Sequence, residues 1–296
     1  VIGYCISAVT KPLLYFSNSW ESVATLRGVE RMGKAFRSAT KDRLISEFSE
    51  KKSGKTFGFH KMMDIAGEMV GAIIVFLVLF FIGKNIEVFK SIFAWTLLPG
   101  ILAVVIVIFF VDDVPYKQTD NKQFSLSEDK KLLPLLFIYF GFIFFMFSDS
   151  FFIIKAKEII KIEYIPLMVI LLTFTQTITS YLFGIWIDKV GAIKIMILSF
   201  IFAFLSMGFL YFKLIILAFI FLGLFLVASL NGIRSYISDN AVNKGSVYGI
   251  LYGGVALFSS LGAIIIGEIW QKFGDNYAII FSLVGVSFMS FILIIL

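Results

Sequence analysis

Long apolar runs alternate with short polar breaks along almost the whole chain. A helix that crosses a membrane needs about 20 largely apolar residues. Ten stretches approach that length, at about 1–18, 20–46, 60–83, 87–111, 132–155, 163–187, 191–212, 214–237, 246–271 and 277–296. Most connections are short, which suits antiparallel neighbours in a helical bundle. The exception runs from Asp112 to Lys131 and carries Pro115, Lys117, Asp120, Asn121, Lys122, Glu128 and Asp129. It reads as a polar linker between two helical units. The pattern predicts an all-α, polytopic membrane helix bundle with about ten transmembrane helices. Its parts are 1–111, a linker over 112–131, and 132–296.

The two parts share a repeat. Gly54, Gly58 and Gly71-Ala72-Ile73-Ile74 recur as Gly245, Gly249 and Gly262-Ala263-Ile264-Ile265, always 191 positions later. An offset that large is no solenoid period; it marks a duplicated half. Two pseudo-symmetric halves in so apolar a chain point to the repeat architecture of transporters. The same offset places the counterpart of Asp188 just upstream of Val1, so the chain is expected to begin partway through its first half.

Composition supports the membrane reading. The chain is 59% hydrophobic and 16% charged, with a mean hydropathy of +0.95, whereas soluble domains average about 45–50% apolar and about 25% charged residues. The net charge of +6 does not argue for a nucleic-acid partner, because the Lys and Arg residues cluster between apolar runs as topology signals do. Cys5 is the only cysteine and His60 the only histidine. That excludes an intrachain disulfide or a zinc cluster and argues against metalloenzyme chemistry. No nucleophile–base pair or paired carboxylates lie at membrane depth, so no enzyme, metal or cofactor is expected. A channel would favour rings of identical residues over a two-half duplication. No basic region precedes the first apolar run, and Lys11-Pro12 interrupts it, so no cleavable signal peptide is expected.

Basic residues set the orientation. Lys34, Arg37, Lys41, Arg43, Lys51, Lys52, Lys55 and Lys61 make the densest positive stretch, which assigns it to the cytoplasm. Alternation then puts the linker, the Asp188–Lys194 turn and the Ser238–Lys244 loop on the same side. Lys155, Lys157 and Lys161 run against the rule, accompanied by Glu158 and Glu163.

The stretch 20–46 is the least expected. Arg27, Glu30, Arg31 and Lys34 fall at i, i+3, i+4 and i+7, one helical face. A charge at bilayer depth costs from about 2.5 to above 10 kcal/mol, so such a stripe needs a wet cavity or partners inside the bundle. Arg27 and Arg31 read as cavity residues, whereas Arg37, Lys41 and Arg43 read as a cytoplasmic, structural end. Asp149, in Phe147-Ser148-Asp149-Ser150-Phe151, is either a proton carrier whose pKa is raised by desolvation or an acid that reaches water near a helix end. Arg234, close to Asn231, is the repeat counterpart of Arg43, which suggests a gate or a symmetric anchor. Gln176 lines a path or joins helices. Gly58, Gly67 and Gly71 would let helices approach closely. In the turn from Gly184 to Lys194, Gly191 allows a tight reversal, and Asp188 can cap a neighbouring helix N-terminus and oppose its dipole.

These residues resemble the major facilitator superfamily of secondary transporters. Its loop motif is G-x-x-x-D-[RK]-x-G-x-[RK]-[RK]; Gly184, Asp188, Lys189 and Gly191 match, Ala192 replaces a basic residue and Lys194 lies close to the last one. The stretch 20–46 resembles the family's fourth helix around Arg27 and Gly33. Glu30-Arg31-Met32-Gly33-Lys34-Ala35-Phe36-Arg37 and Lys41-Asp42-Arg43-Leu44-Ile45 are similar to the prokaryotic pattern D-R-x-G-K-G-x-R-x-x-P-R-D-A-L-I. Glu30, Ala35 and Thr40 depart from it. Gly67-Glu68-Met69-Val70-Gly71-Ala72 resembles the antiporter-associated G-x-x-x-G-P, with Ala72 in place of Pro. The resemblance covers the chain as the family's helices 3 to 12.

The resemblance implies alternating access around a midplane site, with a small solute moved by proton or ion coupling across the cell membrane. It assigns Arg27, Glu30, Arg31 and Asn231 to the substrate, Asp149 to coupling, and Asp188, Lys189, Gly191, Arg43 and Arg234 to gating. The alternative is a transport-inactive fragment lacking the first two helices.

Overall fold

A computed structural model of the chain describes residues 2–49, 53–83, 85–111, 129–161 and 164–295. All regular structure among them is helical: α1 (Ile2–Leu13), α2 (Trp20–Phe48), α3 (Gly54–Phe81), α4 (Ile86–Trp95), α5 (Leu97–Phe110), α6 (Leu133–Phe145), α7 (Asp149–Ile159), α8 (Ile165–Val190), α9 (Ala192–Tyr211), α10 (Ile215–Asn240), α11 (Lys244–Phe273) and α12 (Asp275–Ile295), with 3-10 turns at Leu14–Phe16 and Lys130–Leu132. Counting α4 with α5 and α6 with α7, 8 segments are long and apolar enough to cross a membrane. The stretches 1–18 and 20–46 form helices outside that set. The first is 12 residues long, and the second carries the charged stripe over 29 residues. Residues 112–128 of the expected linker, and Lys51 and Lys52 of the basic stretch, lie outside the described residues.

The chain divides into two compact units, Val1–Glu47 with Ile74–Gln123, and Phe48–Ile73 with Phe124–Leu296. In the first, α1 packs on α4 and α5. Gly100 meets Ala8, and Gly3 faces Gly33 on α2, where a Cβ on Gly3 would come 2.7 Å from the Gly33 carbonyl oxygen. Arg37 lies 5.1 Å from the centre of the Tyr4 ring, a cation–π contact that strengthens the same crossing.

In the second unit α10 lies against α8 and α9, while α6 packs on α11 and α12. An aromatic core joins these layers. Phe142 stacks on Phe200 with centroids 3.5 Å apart and meets Phe225 at 5.4 Å. A second cluster gathers Phe183, Ile187, Ile195, Val227 and Ala228 with Ile65 of α3. Within a bilayer such contacts hold the helices together by van der Waals packing rather than by removal of apolar surface from water.

The stretch 132–155 was expected as one helix but is broken. α6 ends at Phe145, Met146 donates to the Phe142 carbonyl at 3.1 Å, and Ser148 is extended before α7 begins at Asp149. The rings of Phe147, Phe151 and Trp270 pack around this break. Gly254, Gly262 and Gly285 leave room for Phe140, Phe144 and Phe145 of α6; no larger residue fits at those places.

Candidate functional site

The charged stripe of α2 belongs to the first unit. Arg27 Nη1 lies 2.9 Å from Glu30 Oε2, and Lys11 of α1 lies 3.7 Å from Glu30 Oε1. Glu30 thus sits between two cations, its side chain only 18% exposed, while the Lys11 and Arg27 side chains are 44% and 53% exposed. Arg31 is exposed. Arg43 lies 3.9 Å from Glu47, one turn on. Three cations beside one carboxylate leave the stripe net positive, a field suited to an anion.

The second unit holds a different kind of site at the N-terminus of α3. The first backbone N–H groups of a helix have no partner within it and carry the positive end of the helix dipole. Here Gly54 N–H donates to Asp188 Oδ1 and Lys55 N–H to Asp188 Oδ2, both at 2.8 Å. Ser53 N–H donates to Asp239 Oδ1 at 3.3 Å, and the Ser53 hydroxyl to Ser235 Oγ at 3.0 Å. Two carboxylates, from the ends of α8 and α10, therefore hold one helix start. Charge-assisted bonds of this kind contribute about 1.5–3 kcal/mol each. Gly191, with φ of 96°, caps α8 three residues after Asp188. An L side chain rarely adopts that conformation. Lys189 itself is exposed.

Below the cap the backbones nearly touch. A Cβ on Gly54 would lie 2.6 Å from the Gly184 oxygen, and one on Gly58 would lie 2.8 Å from the Ser180 oxygen. The Ser180 hydroxyl donates to the Gly58 carbonyl at 2.8 Å. Asn231, fully buried on α10, donates from Nδ2 to Ser180 O at 3.3 Å and Ser180 Oγ at 3.2 Å. One turn further, Arg234 is 4% exposed and donates from Nε (2.8 Å) and Nη2 (2.6 Å) to the Tyr252 hydroxyl. Tyr248 hydroxyl donates to the Arg234 carbonyl at 2.9 Å. Gln176 is also buried.

Asp149 occupies the first turn of α7 and accepts from Ser150 N–H at 3.0 Å. It is exposed at a helix start. Six residues on, Lys155 is 5% exposed and bonds Glu158 at 2.7 Å and also Asp275, the first residue of α12. Those pairings account for one of the basic residues that ran against the orientation rule.

Comparison with known proteins places this arrangement. A profile of the Major Facilitator Superfamily matches residues 1–160. A relative from Methanocaldococcus jannaschii, an uncharacterised major-facilitator-type transporter, is 30% identical over 289 residues, covering 92% of this chain and 71% of that protein. The chain belongs to the Major Facilitator Superfamily. It is a multi-pass membrane protein of a transporter family. A shorter similarity, 34% over 76 residues, covers 25% of this superfamily member and 19% of an uncharacterised protein of Mycobacterium tuberculosis. Among solved structures, a bacterial homologue of the iron transporter ferroportin, crystallised in an outward-facing state, superposes with a TM-score of 0.66. It covers 99% of this chain and 81% of its own at 15% identity, a likeness of fold alone.

Within this superfamily member, the structure brings Arg27 to Glu30, and Asp188 to the start of α3. It brings Asn231 to Ser180, and Arg234 to Tyr252. Lys11, Ser180, Asp239 and Tyr252 are partners that a reading of single helices misses, because each acts from a different helix. Of the expected packing glycines, Gly58 makes a close approach while Gly67 and Gly71 meet nothing within 4 Å.

Proposed function

We propose that this superfamily member is a secondary active transporter of the cell membrane. It moves a small anionic solute by alternating access, coupled to protons or another ion. The sequence halves 1–111 and 132–296 rock about the 112–131 linker, with the basic stretch around Lys34–Lys61 facing the cytoplasm. The observation that carries the reading is the Asp188 cap on Gly54 and Lys55. It joins two elements on either side of the linker through a few directional, breakable hydrogen bonds at the helix start. A contact of that kind can form in one conformation and dissolve in another. Asp188, Lys189 and Gly191 serve as this gate, with Arg43 and Arg234 as anchors at equivalent repeat positions.

Arg27, Glu30 and Arg31 recognise the solute. Glu30 is already neutralised by Arg27 and Lys11, so Arg31 supplies the attraction for a carboxylate or phosphate, which a guanidinium binds in bidentate fashion. Asp149, exposed in the first turn of α7, takes up the coupling proton or ion.

The test is exchange of Arg27 for Ala, followed in proteoliposomes by solute-driven proton flux against a panel of carboxylates and phosphate esters. Flux falls to background while membrane insertion and yield stay unchanged. Flux at the parent level would remove Arg27 from the site.

A further inference from the structure

The Ser180 hydroxyl carries one proton, and it also accepts a hydrogen bond from Asn231. In the capped arrangement the proton goes to the Gly58 carbonyl at 2.8 Å. Asn231 directs its amide Nδ2 at the Ser180 carbonyl, 3.3 Å away, and at Ser180 Oγ. That orientation is fixed by chemistry, because a backbone carbonyl only accepts. The other end of the same side chain, Asn231 Oδ1, is fully buried and has no hydrogen-bond donor among the described residues. A buried acceptor without a donor disfavours the state that buries it.

We propose that Ser180 and Asn231 form a paired hydrogen-bond switch that sets the balance between the closed and open α3–α8 contact. They are positioning residues for the transport cycle. The inference rests on the reading of the Asp188 cap as a gate. While α3 lies against α8, Ser180 ties Gly58 down and leaves Asn231 Oδ1 unsatisfied. When α3 moves away, the Ser180 proton is released from Gly58, water enters the vacated contact, and Asn231 Oδ1 gains a donor. The closed contact is thus built with one bond that holds it and one vacancy that weakens it. The two residues should therefore push the equilibrium in opposite directions, although they touch each other.

A cysteine at position 53 reads this balance, since Ser53 is fully buried under the cap. Ser53→Cys is placed in a Cys5→Ala background, reconstituted in lipid nanodiscs, and its rate of maleimide labelling is measured. Ser180→Ala raises the rate about fivefold, the shift of one ordinary hydrogen bond. Asn231→Leu, near in volume and without the acceptor, lowers it by a similar factor. If Asn231→Leu does not accumulate, Asn231→Val must lower the rate too. Asp188→Asn is the control for the gate and raises labelling. No rise with Asp188→Asn overturns the gate, and the switch with it. A rise there, with the Ser180 and Asn231 variants moving the same way or not at all, overturns the switch alone.

Discussion

Helices α2 and α10 stand at equivalent places in the 191-residue repeat and treat charge in opposite ways. Where α2 carries Arg27, Glu30, Arg31 and Lys34, α10 carries Ala218, Phe221, Leu222 and Phe225. Ala218 and Leu222 are fully buried, and Phe225 is 1% exposed. Along α2, Val23, Val29 and Met32 remain 41%, 40% and 60% exposed. One position in a duplicated scaffold is therefore served equally well by an apolar, close-packed face. The repeat position itself therefore does not demand the charges of α2. Arg43 and Arg234 are the exception, a basic residue kept in both halves.

That comparison can be broken most severely by writing the α2 pattern into α10. Leu222→Arg, the counterpart of Arg31, buries an uncompensated charge and costs at least about 3–5 kcal/mol. The expected outcome is loss of monodisperse protein in size-exclusion chromatography. Normal yield would mean that α10 reaches water.

The glycine pairs give a smaller, signed contrast. Gly58→Ala drives a Cβ against Ser180 and Gly184 and destabilises by about 1–3 kcal/mol. Its repeat counterpart Gly249 meets nothing within 4 Å, so Gly249→Ala is neutral or stabilises by up to about 1 kcal/mol through helix propensity. Thermal melts of the two variants should move apart; equal shifts would contradict the asymmetry.

Lys155→Met leaves Asp275 and Glu158 without their buried cation and lowers stability by about 1–3 kcal/mol. The Asp275→Asn variant should show the same melt and the double variant no further loss. The smallest effect belongs to the surface of α2. Arg27→Gln removes an exposed pair and changes stability by less than about 1 kcal/mol, while transport collapses. A large melt shift there would make the stripe structural after all.

The all-helical membrane architecture was legible because long apolar runs survive in one dimension, although ten stretches were expected and 8 segments among the described residues are long and apolar enough to span. So was the Asp188 cap, since an acid at a helix end followed by Gly191 leaves few other uses for its carboxylate. The α6–α7 break was not legible. Met146-Phe147-Ser148 contains neither Pro nor Gly, and the interruption comes from packing around Phe147 and Trp270. Asn231 read as a cavity residue, but a partner 51 positions away at Ser180 occupies its amide. Lys11 escaped for the same reason: periodicity on α2 is blind to a cation arriving from α1.

The broken segment has a consequence for how the protein is made. At about 1.5 Å per residue, the 13 residues of α6 extend about 20 Å and the 11 of α7 about 17 Å. Neither reaches across a hydrocarbon layer about 30 Å thick. The bare amides between them cannot face lipid. The notches that receive α6, at Gly254, Gly262 and Gly285, lie on α11 and α12 and are translated well after it. The packing that holds the bend is therefore complete only after α11 and α12 have been translated and have docked on α6.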